Sequence, residues 1–295
     1  MCPHARPAAA AGRRIHVNGQ ARIARAFLRA CEMDVAVRKP GNVSDASAGH
    51  GMTAAMFRAA AAAAAPALLQ PGARLGARVE AGVAASWAAA HCNTNLGILL
   101  LCAPLAMAAE ALPDAPAPSA LRQGVRDVLA ALDAADTAAV FRAIAAANPG
   151  GLGSSREQDV RQPPTLGLVT AMALAADRDL IARQYRDGFA DLWETGLHAV
   201  PAGLPPDHPS AVEAVFLAWL SAYPDSHIVR KHGAGVAQTV MQAAQGWRLR
   251  HDTGVHADWD AWDRSLKAAR INPGTSADFT VATLMAAMLL QPPAP

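Results

Sequence analysis

Apolar residues that recur at helical spacing restrict the fold of this chain more than any other feature of its sequence. In three runs these residues fall on one helical face: Leu121, Val125, Val128, Leu129 and Leu132; Ile181, Tyr185, Phe189 and Leu192; and Val212, Val215, Phe216, Trp219 and Leu220. No run of several residues alternates between apolar and polar, as a half-buried strand does. Alanine, the strongest helix former, is abundant throughout. The sequence therefore predicts an all-α fold of about ten to twelve helices.

Segments rich in Gly, Pro, Asn or Ser separate the helical runs: residues 38–51, 112–119, 148–164, 199–209 and 270–274. Because the helical pattern is the same on both sides of each segment, we expect one multi-helix globular domain over residues 20–292. Residues 1–19 lack the apolar stretch of a secretory signal and are expected to form a disordered tail. The most apolar stretch, residues 96–109, contains Pro104 and is too short to cross a bilayer, so it predicts a buried helix.

Charge and cysteine content exclude several classes of partner. The 26 basic and 24 acidic residues leave a formal net charge of +2, which provides no broad cationic field for nucleic acid or a membrane surface. The four cysteines have neither zinc-site spacing nor the pattern of a disulfide framework, as expected for reduced thiols in the cytoplasm. Any recognition of phosphate must therefore be local.

Five polar clusters interrupt the alanine-rich background, most of them at helix ends or in glycine-bearing loops, where backbone N–H groups are free to meet a ligand. They are residues 38–52, Glu80 with residues 91–95, residues 149–159, residues 224–233 and residues 272–279. In the first cluster, Lys39 is a candidate phosphate-binding cation and His50 a candidate donor or acid. The alternative is a helix end at Pro40 and Gly41 with an exposed loop histidine.

The second cluster combines amides with a carboxylate. Asn93 and Asn95 carry donors and acceptors that suit ribose hydroxyls or a purine edge, and Glu80 is a candidate ligand for a metal or a proton. Asn93 or Thr94 has an equally good interpretation as the cap of the following helix. Both interpretations stay open.

The third and fourth clusters are candidates for binding phosphate. Residues 149–159 form a glycine loop that does not match a P-loop, because the Gly-Lys-Ser/Thr ending is absent. If Asp225 caps a helix, then His227, Arg230 and Lys231 share one face of it, where an anion would relieve their mutual repulsion. The alternative interpretations are a plain connector and a solvated basic helix end.

The fifth cluster has the spacing of a capping box. Thr275 is followed three residues later by Asp278, as at the start of many helices. The functional alternative places Asp278 against a sugar hydroxyl or Mg²⁺, beside the free amides of that helix start.

Taken in order, six short motifs resemble the triphosphoribosyl-dephospho-CoA synthase family from about residue 21 to residue 290. They are Lys39-Pro40-Gly41-Asn42-Val43, Gly49-His50-Gly51-Met52, Asn93-Thr94-Asn95-Leu96-Gly97, Pro149-Gly150-Gly151-Leu152-Gly153, Asp225-Ser226-His227 through Gly233, and Asn272-Pro273-Gly274-Thr275-Ser276-Ala277-Asp278. The resemblance implies an all-helical transferase that moves the triphosphoribosyl group of ATP to the 2′-hydroxyl of 3′-dephospho-CoA and releases adenine.

Asn42, Ser44, Gly51 and the Asp225 motif depart from the pattern of the family's citrate and malonate members. They resemble members associated with C1 and tetrahydromethanopterin metabolism. Two alternatives therefore stay open: a ribosylphosphate transferase that uses 5-phosphoribosyl diphosphate on a pterin precursor, and a nucleotide-binding helical protein without catalysis.

Ribosyl transfer needs a carboxylate near the developing positive charge, a base for the incoming hydroxyl and neutralisation of the phosphates. The family reaction also implies Mg²⁺ with ATP and no organic cofactor. We assign the phosphates to Lys39, Arg230, Lys231, Gly150, Gly151 and Gly153, and the sugar to Asn93, Asn95 and Asp278. Asn42, Asp225 and His227 are further substrate-binding residues. Glu80 and His50 are the candidate general bases, Asp278 is a third catalytic residue, and Asp278 and Glu80 are the candidate ligands of Mg²⁺.

Overall fold

The computed structural model describes residues 9–149, 157–252 and 258–292, and within them the side chains of all but residues 9–18 and 251–252. Thirteen α-helices make up this part of the chain: α1 Ala9–Ala36, α2 Ala54–Leu68, α3 Leu75–Ala90, α4 Leu96–Glu110, α5 Pro118–Ala130, α6 Ala134–Ala147, α7 Leu168–Ala173, α8 Leu180–Asp187, α9 Pro209–Ala222, α10 Ser226–His232, α11 Ala234–Asp252, α12 Trp259–Ala268 and α13 Gly274–Leu289. A π-helical turn, Leu192–Gly196, and a 3₁₀ turn, Leu197–Ala199, precede α9. The described residues contain no strand, so the all-α prediction is confirmed.

Helix α4 lies at the centre of the main core. It is buried around nearly its whole circumference, as its apolar sequence predicts, and α1, α3, α5 and α13 pack around it. A smaller core joins α9, α11 and α12 through Phe216, Leu220, Trp247 and Trp259. None of the helices in the described ranges is long and apolar enough to cross a membrane.

The helical faces predicted from the apolar spacing are buried, but one of the predicted helices is shorter than expected. The apolar residues of α9 are all buried, and those of α5 pack on the main core. The run that begins at Ile181 breaks after Asp187, because Gly188 and Phe189 adopt left-handed backbone with φ of 61° each. Phe189 and Leu192 are nevertheless buried, so the spacing indicated burial correctly and helix continuity wrongly.

The start of the chain also differs from expectation. The backbone is helical from Ala9, so residues 9–19 belong to α1, where the sequence suggested a disordered tail. Residues 1–8 lie outside the described part. The predicted connections at 38–51, 112–119, 199–209 and 270–274 fall between helices, to within two residues. Of the connection predicted at 148–164, the described residues 148–149 and 157–164 also lie outside the helices.

Candidate active site

A cavity of about 1180 Å³ opens between the central helix and the helices that follow the loops. Its lining comes from the start of α4 with the residues before it, from α8, α10 and α13, which we call the polar wall, and from α2, α6 and α7, which we call the apolar wall. Seven of the predicted site residues line it: Asn42, His50, Asn93, His227, Arg230, Lys231 and Asp278. All five polar clusters contribute to the lining, since Pro149, Glu157, Gln158 and Asp159 of the third cluster also belong to it.

Lys39 does not line the cavity. Its side chain is completely buried, and its ammonium group contacts both the backbone carbonyl and the carboxylate of Asp34, the latter at 3.0 Å. A lysine held in this way cannot reach a phosphate, so the assignment of Lys39 to phosphate binding is wrong. Asp34, which the sequence analysis overlooked, lines the cavity in its place.

Glu80 also lies outside the cavity lining. It forms a two-pronged ion pair with Arg142, with distances of 2.6 and 2.7 Å, on a surface where both side chains are more than one third exposed. The hydrogen bonds from Arg142 lower the pKa of Glu80. A carboxylate already neutralised by arginine is a poor metal ligand and a weak base. The assignment of Glu80 to catalysis and to Mg²⁺ is therefore wrong.

The two predicted asparagines have different surroundings. Asn93 lines the cavity, and its side-chain oxygen also accepts a hydrogen bond from Leu96 N at 3.2 Å, which is the capping role that the sequence left open. Asn95 is buried beneath the cavity, with its amide 3.3 Å from the hydroxyl of Ser86. Gly150, Gly151 and Gly153 lie outside the described residues.

Asp225 is buried and joins the starts of two helices. Its Oδ1 accepts hydrogen bonds from His227 N and Ile228 N at the start of α10, at 2.9 and 3.1 Å. Its Oδ2 accepts from the backbone N and the hydroxyl of Ser276, in the first turn of α13, at 2.7 and 2.8 Å. The predicted capping of α10 by Asp225 is confirmed, and the same carboxylate places α10 and α13 side by side.

The predicted capping box at Thr275 does not form. The Thr275 hydroxyl accepts a hydrogen bond from His227 N at 3.1 Å, so it serves α10 rather than its own helix. The Asp278 carboxyl instead points towards Gly97 of α4, where an added Cβ would overlap it. Within the described residues no hydrogen bond or ion pair reaches this carboxyl. Burial first, and then the carboxyl groups of Asp34 and Asp225, raise the pKa of Asp278 well above that of an ordinary aspartate.

His227 and His50, which line the cavity, have lowered pKa values. Burial, with the charges of Lys231 and Arg230, lowers the pKa of His227 to about 3, and its Nε2 has no partner among the described residues. Burial also lowers the pKa of His50, with a further contribution from Lys231. Both rings are therefore neutral near pH 7.

The backbone around His50 selects its tautomer. His50 has a left-handed backbone with φ of 57°, and its Nε2 lies 2.8 Å from the carbonyl oxygen of Gly41. Because a carbonyl oxygen only accepts, Nε2 carries the proton and the lone pair of the neutral ring is on Nδ1. His50 thus has a free basic nitrogen in a ring that lines the cavity.

Asp179 and Arg230 form a further charged pair in the lining of the cavity. Asp179 caps α8 by accepting from the backbone N of Ile181 and Ala182, and its other oxygen binds Arg230 at 2.7 Å. An aspartate immediately before an apolar run is a recognisable cap, so the signal was present.

The apolar wall carries the largest apolar side chains of the lining, which also includes Glu157, Gln158, Asp159 and Arg178 from the loops beside α7. These apolar side chains come from α2, α6, α7 and the loop before α2: Met52, Met56, Phe57, Phe141, Ile144 and Met172. The described residues contain no group of three or more His, Cys, Asp or Glu side chains arranged to hold a metal ion. The cavity therefore offers one polar wall with acids, histidines and cations, and one wall suited to a ring or an alkyl chain.

Comparisons with known proteins agree on one family. Residues 20–294 match the CitG family, described as ATP:dephospho-CoA triphosphoribosyl transferase. A crystal structure of a candidate triphosphoribosyl-dephospho-CoA synthase from Archaeoglobus fulgidus is similar, with a TM-score of 0.64 and 24% sequence identity, covering 79% of this chain and 98% of that chain. At that identity the similarity shows a shared fold. A search of functionally curated proteins finds no match.

Proposed function

This chain belongs to the CitG family of transferases, and we propose that it moves the triphosphoribosyl group of ATP to the 2′-hydroxyl of 3′-dephospho-CoA, releasing adenine. The observation that carries the proposal is the pairing in one cavity of a carboxyl with a raised pKa and a histidine with a lowered pKa. Burial thus favours a carboxyl that can donate a proton and a neutral imidazole that can accept one, which are the forms that an acid and a base need.

The size of the cavity supports a reaction between two nucleotides. A site for one small molecule commonly has about 300 to 1,000 Å³, and this cavity has about 1180 Å³. We assign the phosphates to the polar wall, at Lys231, Arg230 and His227, and an adenine ring or the pantetheine chain to the apolar wall. Mg²⁺ enters with ATP as part of the substrate, since phosphates and water supply most of its ligands.

We assign the proton transfers to Asp278 and His50. The bond between the ribose anomeric carbon and adenine breaks while a bond to the incoming 2′-oxygen forms. Asp278, protonated before the reaction, gives its proton to the departing adenine, and His50 Nδ1 takes the proton of the hydroxyl. The Asp278 carboxylate that results is well placed to stabilise the positive charge that develops on the sugar. A single displacement of this kind inverts the configuration at the anomeric carbon.

The test is adenine release from Mg-ATP in the presence and absence of 3′-dephospho-CoA, with the mass of the CoA product determined in parallel. We expect one adenine per product, and a loss of about 10² in kcat or more for Asp278→Asn and His50→Gln. Arg122→Met is the control, because Arg122 forms an exposed ion pair with Glu194 outside the cavity lining. A folded protein that binds ATP but releases no adenine would contradict the proposal. The next substrates to test would be 5-phosphoribosyl diphosphate and a pterin acceptor.

A further inference from the structure

Two residues of α12 hold the loop that carries His50. Asp263 Oδ1 accepts a hydrogen bond from Gly41 N at 2.8 Å, and Lys267 Nζ donates to Ser47 O at 2.9 Å. Asp263 and Lys267 are one helical turn apart and form an ion pair of 3.0 Å, with side chains 2% and 11% exposed. The loop is thus fixed on both sides of its turn by one buried pair of opposite charges.

Two successive hydrogen bonds through Gly41 connect Asp263 to the ring of His50. The N–H of Gly41 donates to Asp263, and the carbonyl of the same residue, in the next peptide unit, accepts the hydrogen bond from His50 Nε2. Gly41 has φ of 82°, and an added Cβ would lie 2.8 Å from Pro273 Cδ and 2.9 Å from Ile271 O. Any other residue at this position would displace the backbone. The hydrogen bonds that connect Asp263 to His50 therefore pass through a tightly packed glycine.

Resting on the role proposed above for His50, we propose that Asp263 and Lys267 are positioning residues, which hold His50 in the orientation and tautomer that leave Nδ1 free as the base. Neither residue lines the cavity, so neither is a catalytic residue. No sequence pattern distinguishes the two residues, since charged pairs spaced four apart are common on the exposed faces of helices.

The charges around His50 allow a test in which two variants are expected to shift its pKa in opposite directions. Lys231 of α10 and Lys267 of α12 lower the pKa of His50, and Asp263 raises it, while His50 in turn lowers the pKa of His227 on α10. Removing Lys267 therefore raises the pKa of His50, and removing the charge of Asp263 lowers it. A residue with only a structural role would reduce activity without this opposition in sign.

The experiment uses Lys267→Met, Asp263→Asn and the double variant. The pKa of His50 is measured by NMR, with His50→Gln to assign its signal, and the pH profile of kcat/KM for adenine release is recorded alongside. We expect the acidic limb to move to higher pH in Lys267→Met and to lower pH in Asp263→Asn, and to return towards the wild-type position in the double variant. We also expect kcat to fall on the order of tenfold in each variant, with KM for Mg-ATP within about twofold.

Arg122→Met and Glu194→Gln provide matched controls, because they remove the same charges from an exposed ion pair elsewhere. If a single variant does not fold, the double variant, which leaves no unpaired buried charge, is compared with wild type for the loss of kcat. The proposal would be overturned, in an enzyme whose wild type releases adenine, by either of two results. One is a shift of the pKa of His50 that is equal and in the same direction in both single variants; the other is no shift together with no loss of kcat. If the wild type releases no adenine, the proposed function fails, and the NMR titration of His50 alone decides the positioning role.

Discussion

Replacing Gly97 with alanine tests whether the position of Asp278 matters for catalysis. A Cβ on Gly97 would overlap a carboxyl oxygen of Asp278 and would lie 2.6 Å from its Cγ and 2.9 Å from Ile181 Cδ1. Carbon atoms attract at roughly 3.5 Å and beyond, so the carboxyl must withdraw by about 1 Å. A displacement of about 1 Å costs on the order of 10²-fold in rate when it misaligns a reacting group.

The same substitution has a small effect on stability. Overpacking costs roughly 1 to 3 kcal/mol, and replacing glycine by alanine within a helix recovers about 1 kcal/mol. We therefore expect a free energy of unfolding within about 2 kcal/mol of wild type, measured by urea denaturation, beside a loss of about 10² in kcat for adenine release. Gly246→Ala is the control, because Gly246 lies within α11 and an added Cβ there meets no atom within 4 Å.

Two results separate the explanations for a loss of rate. If kcat falls while KM for Mg-ATP and stability stay near wild type, the carboxyl acts on the reacting atoms. If Gly97→Ala folds and keeps the wild-type kcat, then the placement of Asp278 against α4 is irrelevant to the reaction, and its role as the acid is refuted.

Three other predictions follow from the placement of charges. Glu80→Gln removes an exposed ion pair with Arg142, so we expect kcat within about twofold of wild type and a loss of stability below about 1 kcal/mol; a large loss of kcat would return Glu80 to the site. Lys39→Met leaves the carboxylate of Asp34 buried and unpaired, and urea denaturation should show a loss of roughly 3 to 5 kcal/mol; a loss below 1 kcal/mol would mean that the pair adds little. Binding of Mg-ATP should be accompanied by proton uptake that increases as the pH is lowered from 8 to 6, because phosphate oxygens raise the low pKa of His227. Calorimetry in buffers of different ionisation enthalpy measures this uptake. The absence of uptake at pH 6 would exclude His227 as a phosphate ligand.

The helices could be predicted because burial and local spacing agree along most of the chain. In α9 all five apolar residues of the run are buried, as the period of the sequence requires. The helix break after Asp187 was harder to predict, since Phe189 and Leu192 stay in the core after the backbone leaves the helix. A spacing pattern reports which side chains are buried, and it does not report how the backbone between them runs.

The roles of charged residues could be predicted only where their partners are close in sequence. Asp225 was identified as a cap because the amides it binds begin two residues later. Glu80 was assigned to the site because nothing close to it in sequence indicated its partner, Arg142, which is 62 residues away. Thr275 was assigned to its own helix, but it binds an amide 48 residues away. Such pairings arise from helix packing, which no local pattern encodes.

If the cavity binds a triphosphate as proposed, the shifted pKa values in and beside it affect how the reaction begins. Burial raises the pKa of Asp278, Asp225 and Asp34 and lowers that of His227 and His50, so acids and histidines alike are driven towards their neutral forms. A triphosphate that enters with its magnesium ion brings charge of both signs and changes these proton affinities. Because the same residues are then both ligands and proton carriers, we expect substrate binding itself to set the protonation states from which ribosyl transfer begins.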